Sequence, residues 1–349
     1  MIESLSKAFF HALAGSNTLK RLASTHGMRR GDSFAHRFIA GETIEDAIAA
    51  AAAIEASGMT QTLDYLGESV STMAGADAVT RAYLTIIDQI VQSGIGRNIS
   101  LKLTQLGLTV DRATCVDNLR RILDAAGPPA FFVRVDMENS AYTEVTLDIF
   151  ETMWQQGYRN AGIVLQSYLP RSVEDARRMN RLGARVRLVK GAYREPRGVA
   201  YQSKADVDTA FIEIMKLLLA EGTYPAIATH DPRMLDATRA YAAERRQAAD
   251  TYEFQMLFGV RRDLQAQLAA SGYRMRVYIP FGQEWFPYFM RRLGERPANI
   301  GFVVRSILRE RDRSAGLGRR RTSVSPQVYV KRHPGRHLLW SVVTHRRDD

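Results

Sequence analysis

Tyr288, Arg291, Arg292 and Glu295 stand at i, i+3, i+4 and i+7, the spacing that places side chains on one stripe of a helix. Such a stripe ordinarily carries apolar residues onto a core, yet this one ends in two guanidiniums with a carboxylate one turn further on. Either it faces water, with an internal Arg–Glu pair worth about 0.3–0.5 kcal/mol, or it faces something anionic, which two planar guanidinium forks are shaped to hold. A second set of polar residues lies near the ends of short apolar segments: Glu68, Lys102, Asp136, Gln166, Arg187, Lys190, Tyr193, Thr229, His230, Asp231, Gln255 and Tyr278. Lys102, Asp136 and Arg187 each sit between apolar neighbours, where a charge is costly to bury unless it is paired. Together they predict a shared polar mouth.

The metal and hydrolase chemistries find no support in the same residues. His230, in ATHDP, has no second histidine at ligand spacing among the seven in the chain, so no metal site is expected and His230 is read as a hydrogen-bonded wall residue. No GxSxG, HExxH, CxxC or Walker sequence occurs. The single cysteine, Cys115, leaves no intramolecular disulfide and no cysteine cluster, which points to a reducing, cytoplasmic setting.

The elements that must carry these residues follow a regular alternation. Eight short apolar or β-branched runs recur: TQTLDYLGE from Thr60, NISLKLTQLG from Asn98, AFFVRVDME from Ala130, AGIVLQSY from Ala161, RVRLVKGAY from Arg185, YPAIATHD from Tyr224, YEFQMLFG from Tyr252 and MRVYIPFG from Met275. Helical patterns fill the intervals at 76–93, 111–125, 144–156, 172–182, 208–221, 232–246 and 263–271, and one more follows at 283–293. Ser172 and Asp231, the latter before Pro232, read as caps. Parallel strands need helical crossovers and a twisted sheet of eight can close, so the alternation predicts an α/β protein with a (βα)8 barrel whose site lies at the C-terminal mouth of the strands. An open doubly wound sheet usually has fewer strands, and no GxGxxG follows the first run.

Ahead of the barrel, 4–28 reads as a helix, and GETIEDAIAAAAAIEASG from Gly41 as a strong one: Thr43 can cap it, Asp46 takes its third position and Gly58 ends it. The expected organisation is an N-terminal helical arm over 1–58, a catalytic barrel over 59–310 and a basic, flexible tail over 311–349. The formal net charge of +11 invites a nucleic-acid partner, but 311–349 holds ten Lys or Arg against three Asp or Glu, a net of +7 that leaves +4 for the preceding 310 residues. With 46% hydrophobic and 24% charged residues, no apolar run of the ~18 residues a spanning helix needs, and an N-terminus that does not read as a secretory signal, the chain reads as soluble or peripheral.

Seven segments in order, SLKLTQLG, VRVDME, VLQSYLPRS, RLVKGAYREP, ATHDPR, FQMLFGV and VYIPFGQEWFPYFMRRLGERP, resemble the proline dehydrogenase family in its monofunctional bacterial form, over about 37 to 309. The resemblance implies a distorted TIM barrel that binds FAD at the strand C-termini without a Rossmann fingerprint, with the last barrel helix lying over the mouth. It implies that Arg291 and Arg292, with Lys102, hold the carboxylate of L-proline, that Tyr278 and Tyr288 wall the ring, and that Glu295 and Asp136 position the arginine pair. Glu68 would pair with Arg291 as a gate. Arg187 would lie at flavin N5, and Gln166, Lys190, Gly191, Ala192, Tyr193, Thr229, His230 and Gln255, with Asp136, would surround the cofactor. The reaction implied is hydride transfer from proline C5 to FAD N5, giving Δ1-pyrroline-5-carboxylate, with electrons passed to a membrane quinone. The chain has no room for an aldehyde dehydrogenase half, so a separate pyrroline-5-carboxylate dehydrogenase is the expected partner. The tail, with Arg319, Arg320 and Arg321, departs from the family pattern and would suit contact with the inner face of the cytoplasmic membrane. A folate reductase, another flavin barrel, is the enzymatic alternative, and a nucleic-acid-binding protein using the tail is the alternative from another class.

Overall fold

The computed structural model describes residues 34–295, with side chains to residue 292. The helix expected over 4–28 and the basic tail lie outside the described residues. Eight strands, β1 (Thr60–Tyr65), β2 (Asn98–Leu101), β3 (Phe132–Val135), β4 (Ala161–Gln166), β5 (Arg185–Val189), β6 (Ala226–Ala228), β7 (Glu253–Leu257) and β8 (Met275–Phe281), form a closed barrel in chain order. Every neighbouring pair is parallel, and β1 closes on β8 with Thr60 opposite Arg276 and Tyr65 opposite Phe281.

Helix α1 (Ile44–Ala56) precedes the barrel. The crossovers are α2 (Met73–Ser93), α3 (Arg112–Ala126), α4 (Thr143–Gln155), α5 (Ser172–Leu182), α6 (Lys204–Glu221), α7 (Pro232–Glu244) and α8 (Arg262–Ala270), and α9 (Trp285–Glu295) follows β8. Right-handed parallel connections of this length need helices that cover the sheet, which is why β4 is buried at all six positions. One hydrophobic cluster runs from Leu63 and Ile99 on the strands to Ile86, Leu119, Phe150, Phe211 and Leu235 on the surrounding helices.

Local chemistry sets most helix starts. Thr43 and Asp46 form the reciprocal capping box at the head of α1, whose Ala47 and Ala51 join the main cluster beside β1 and β8. Asp231 caps α7 through the Arg233 N–H, with Pro232 in the first turn where a missing N–H costs nothing. Ser172 differs from expectation: it opens α5 as its first helical residue, and its hydroxyl donates to the Gln166 carbonyl at 2.7 Å instead of accepting from the helix. The end of β4 is thereby tied to the helix that leaves it.

The barrel interior is polar at both ends. Near the strand N-termini, Arg276 pairs with Glu253 at 2.9 and 3.1 Å and donates to the Gln61 carbonyl at 2.7 Å, while Arg134 donates to the Arg185 carbonyl at 2.7 Å. Burial pushes the Glu253 carboxyl up, but the Arg276 guanidinium outweighs it and holds the group below the usual carboxylate range. A satisfied ion pair there closes the N-terminal end of the barrel and leaves the opposite end for chemistry.

Candidate active site

At the C-terminal ends of the strands lies a cavity of about 530 Å³. Each element contributes a short stretch to it. Glu68 comes from the segment after β1, Lys102 and Asp136 from the residues just past β2 and β3, and Gln166 from the last position of β4. Strand β5 supplies Arg187, and the chain beyond it Lys190, Gly191, Ala192 and Tyr193. Thr229 and His230 follow β6, Gln255 and Tyr278 sit on β7 and β8, and Tyr288, Arg291 and Arg292 come from α9. Helix α9 therefore brings its guanidiniums to the strand C-termini and does not serve as an outer crossover. The side chain of Glu295 lies outside the described residues.

The Arg291 and Glu68 side chains meet in a bidentate pair, at 2.6 and 3.3 Å, that spans the space between α9 and the segment after β1. Arg292 lies with its guanidinium 5.1 Å from the centre of the Tyr288 ring, and Arg187 lies 5.2 Å from that of Tyr278. Both arrangements stack a cation on an aromatic face, which fixes ring and charge together.

Asp136, read from the sequence as a support for the arginine pair, works across the barrel. Its Oδ1 accepts from Arg187 at 2.7 Å and its Oδ2 from the Tyr278 hydroxyl at 2.8 Å, with Lys102 Nζ at 3.9 Å. Arg187 also donates to the Ser100 hydroxyl at 3.1 Å. Lys102 is aimed by Asp64, whose two oxygens lie 3.2 and 3.4 Å from its ammonium. Asp64 is fully buried and lines the cavity, and it was missed in the sequence although Leu63 and Tyr65 flank it just as apolar residues flank Lys102. The same rule, a charge set inside a strand, would have found it.

On the other side, Lys190 is held by Asp208 at 2.5 Å and Asp231 at 2.9 Å, carboxylates that Lys204 and Arg233 share. Partial burial raises the Asp231 carboxyl, and the hydrogen bonds from Arg233, Lys190 and Lys204 more than reverse that and bring it well below the usual range. His230 accepts the Leu257 N–H on Nε2 at 2.9 Å, which requires any proton of the neutral ring to sit on Nδ1. Burial pushes the Tyr193 hydroxyl well above its ordinary pKa, and Glu68 adds to the effect.

Gly191 adopts φ +109°, and a Cβ there would come within 2.4 Å of the Tyr168 ring. Tyr168 is itself half of the loop's anchorage, since its N–H donates to the Lys190 carbonyl at 2.9 Å and Glu195 further on accepts from the Ser140 N–H at 2.7 Å. Gly191→Ala is expected to destabilise the protein by about 1–3 kcal/mol through backbone strain and the displaced ring. A thermal midpoint unchanged from wild type would contradict that.

Two buried polar atoms in the cavity wall have no hydrogen-bond partner among the described residues: Arg187 Nε and Gln166 Oε1. Met137, Val164, Val189, Ala228, Met256 and Leu257 add apolar surface to the same lining, which suits a flat heterocycle with polar edges. Lys102, Arg291 and Arg292 bring three cations to the same lining, which suits a small acid.

The proline dehydrogenase family model matches residues 47–305. Proline dehydrogenase 1 of Bacillus subtilis strain 168 is 41% identical over 301 residues, covering 86% of this chain and 98% of its own. Proline dehydrogenase of Deinococcus radiodurans is also 41% identical, over 281 residues, with 79% and 91% covered. Among solved structures, proline utilization A of Bdellovibrio bacteriovorus, inactivated by N-propargylglycine, superposes with a TM-score of 0.70 at 28% identity over 74% of this chain and 32% of that one. Motifs, barrel and relatives agree, and the chain belongs to the proline dehydrogenase family.

Proposed function

We propose that the protein oxidises L-proline to Δ1-pyrroline-5-carboxylate with FAD in the cavity, and that the electrons go on to a membrane quinone. The observation that carries this reading is that Lys102, Arg291 and Arg292 line one cavity together with Arg187 and Gln166, whose Nε and Oε1 are buried without a hydrogen-bond partner among the described residues. FAD, when bound, supplies the oxidant, taking the hydride that leaves proline C5 as the ring nitrogen gives up a proton and the C5–N double bond forms.

The chain's own residues bind, orient and shield. The two guanidiniums and the ammonium receive the carboxylate where Lys102 is buried and Arg291 mostly so, and there charge-assisted hydrogen bonds are strengthened. Tyr278 and Tyr288 confine the ring, and each is steadied by an arginine on its face. The Glu68–Arg291 pair would close the site without substrate and part when the carboxylate competes for the guanidinium. Arg187, fixed by Asp136 and Ser100, would present a cation to the flavin edge, and Gln166, Lys190, Gly191, Ala192, Tyr193, Thr229, His230 and Gln255 would hold the remainder of the cofactor.

The barrel of 59–310 would hold all of this chemistry, and a separate pyrroline-5-carboxylate dehydrogenase would take the product. No described helix is long and apolar enough to cross a membrane. Access to a membrane quinone would then come from peripheral contact at the inner face of the cytoplasmic membrane. Neither the folate reductase nor the nucleic-acid alternative gains support from the family assignment.

Anaerobic addition of L-proline to the purified protein tests the reading. A flavin absorbance band that bleaches and returns with a quinone is expected; a colourless protein, or a band that proline leaves untouched, would overturn it.

A further inference from the structure

We propose that Asp64 is a positioning residue for substrate binding, holding the Lys102 ammonium in the cavity wall where it receives the carboxylate of the substrate. The inference rests on the carboxylate role given to Lys102 above.

Strand register explains the arrangement. Asp64 lies opposite Ser100 on β2, two residues before Lys102, so both side chains point into the barrel from successive layers and the lysine folds back over the carboxylate. Asp136, the other nearby carboxylate, is already engaged by Arg187 and Tyr278 and stands 3.9 Å from the ammonium. Among the described residues, only Asp64 turns both oxygens toward it, at 3.2 and 3.4 Å, with no exposure to solvent. A lysine has four side-chain torsions, and a buried pair of this kind replaces the water that would otherwise hold its charge.

Burial lowers the Lys102 pKa; Asp64 first and Asp136 second outweigh it and hold the amine well above the usual lysine range. The groups that face Lys102 come from every side: Asp64 on β1, Glu68 after it, Tyr83 on α2, Asp136 and Glu138 past β3, and Tyr193 past β5. Tyr278 on β8 faces Asp64 and Asp136, and Arg187 on β5 neutralises Asp136. Removing the Asp64 charge takes away the largest influence that opposes burial. The Lys102 amine then titrates at lower pH, and affinity for an anionic substrate falls as pH rises.

A double-mutant cycle on the flavin-loaded enzyme, with dye reduction followed from about pH 7 to pH 10, tests this. Asp64→Asn should raise KM for L-proline more than it lowers kcat, and the rise should steepen by up to about tenfold per pH unit once the amine titrates. Asp64→Glu should restore the wild-type pH profile. In a Lys102→Met background, Asp64→Asn should change KM by less than about twofold, because the group through which it acts is gone.

An Asp64→Asn effect of equal size in both backgrounds, or one independent of pH, overturns the proposal while leaving the function standing. Wild-type KM in Lys102→Met removes the carboxylate role of Lys102 and overturns the proposal with it. Failure of the wild-type enzyme to oxidise proline strikes the functional reading instead. Should Asp64→Asn alone not fold, the Asp64→Asn/Lys102→Met double variant removes both charges together, a change buried pairs tolerate better. Its KM should match that of Lys102→Met, and a clearly higher value overturns the proposal.

Discussion

Arg292→Met is expected to cost about 2–5 kcal/mol of substrate binding, a rise in KM of roughly thirtyfold or more, or to abolish turnover, with flavin retained. Arg292 sits on the helix that lies across the strand ends, with its guanidinium stacked on Tyr288 and its Nε buried. A carboxylate held there has little water to fall back on when the fork is cut, so the penalty is that of a buried charge losing its partner. Arg291→Met should be milder, because in the wild-type enzyme the substrate gains Arg291 only by displacing it from its Glu68 pair. Steady-state kinetics with a flavin absorbance measurement on each variant separates lost binding from lost cofactor. Near wild-type KM and kcat in Arg292→Met would remove the carboxylate assignment.

Asp136→Ala is expected to harm both stability and catalysis, by about 3–5 kcal/mol in the first because buried charge is left uncompensated. One carboxylate there serves Arg187 and Tyr278 at hydrogen-bond distance and Lys102 slightly further off. Its loss releases at once the guanidinium proposed for the flavin edge and the Tyr278 hydroxyl proposed for the substrate wall. Asp136→Asn keeps the shape and one acceptor oxygen, so it should lose less stability while still lowering kcat by about one to two orders of magnitude. Thermal unfolding and kcat measured on both variants check this. An alanine variant as stable as wild type would show that Asp136 does not knit the three strands together.

Much of the site was legible from residue type and position. Polar residues at the ends of apolar runs stand out because a strand interior excludes unpaired charge, and the rule of strand C-termini then gathers Lys102, Asp136, Gln166, Arg187, His230, Gln255 and Tyr278 into one mouth. The i, i+3, i+4, i+7 stripe of α9 was equally visible, but spacing left open whether it met water or an anion. Only the fold turned Tyr288, Arg291 and Arg292 toward the cavity. Asp64 stands out only as a charge set inside a strand, and the partners of Asp136, which are Arg187 and Tyr278, cannot be read in the sequence, since a carboxylate at a strand end has several cations within reach once eight strands converge.

The order of strands and crossovers, the capping box of Thr43 and Asp46, and the proline start of α7 are local matters, settled by side chains within a few residues of each other. Which charge meets which is not local. The Asp64–Lys102, Asp136–Arg187 and Asp136–Tyr278 pairs join residues 38, 51 and 142 apart in the chain. Their pairing depends on the stagger with which β1 closes against β8 and on the depth each strand reaches in the barrel, quantities that neither residue type nor periodicity encodes.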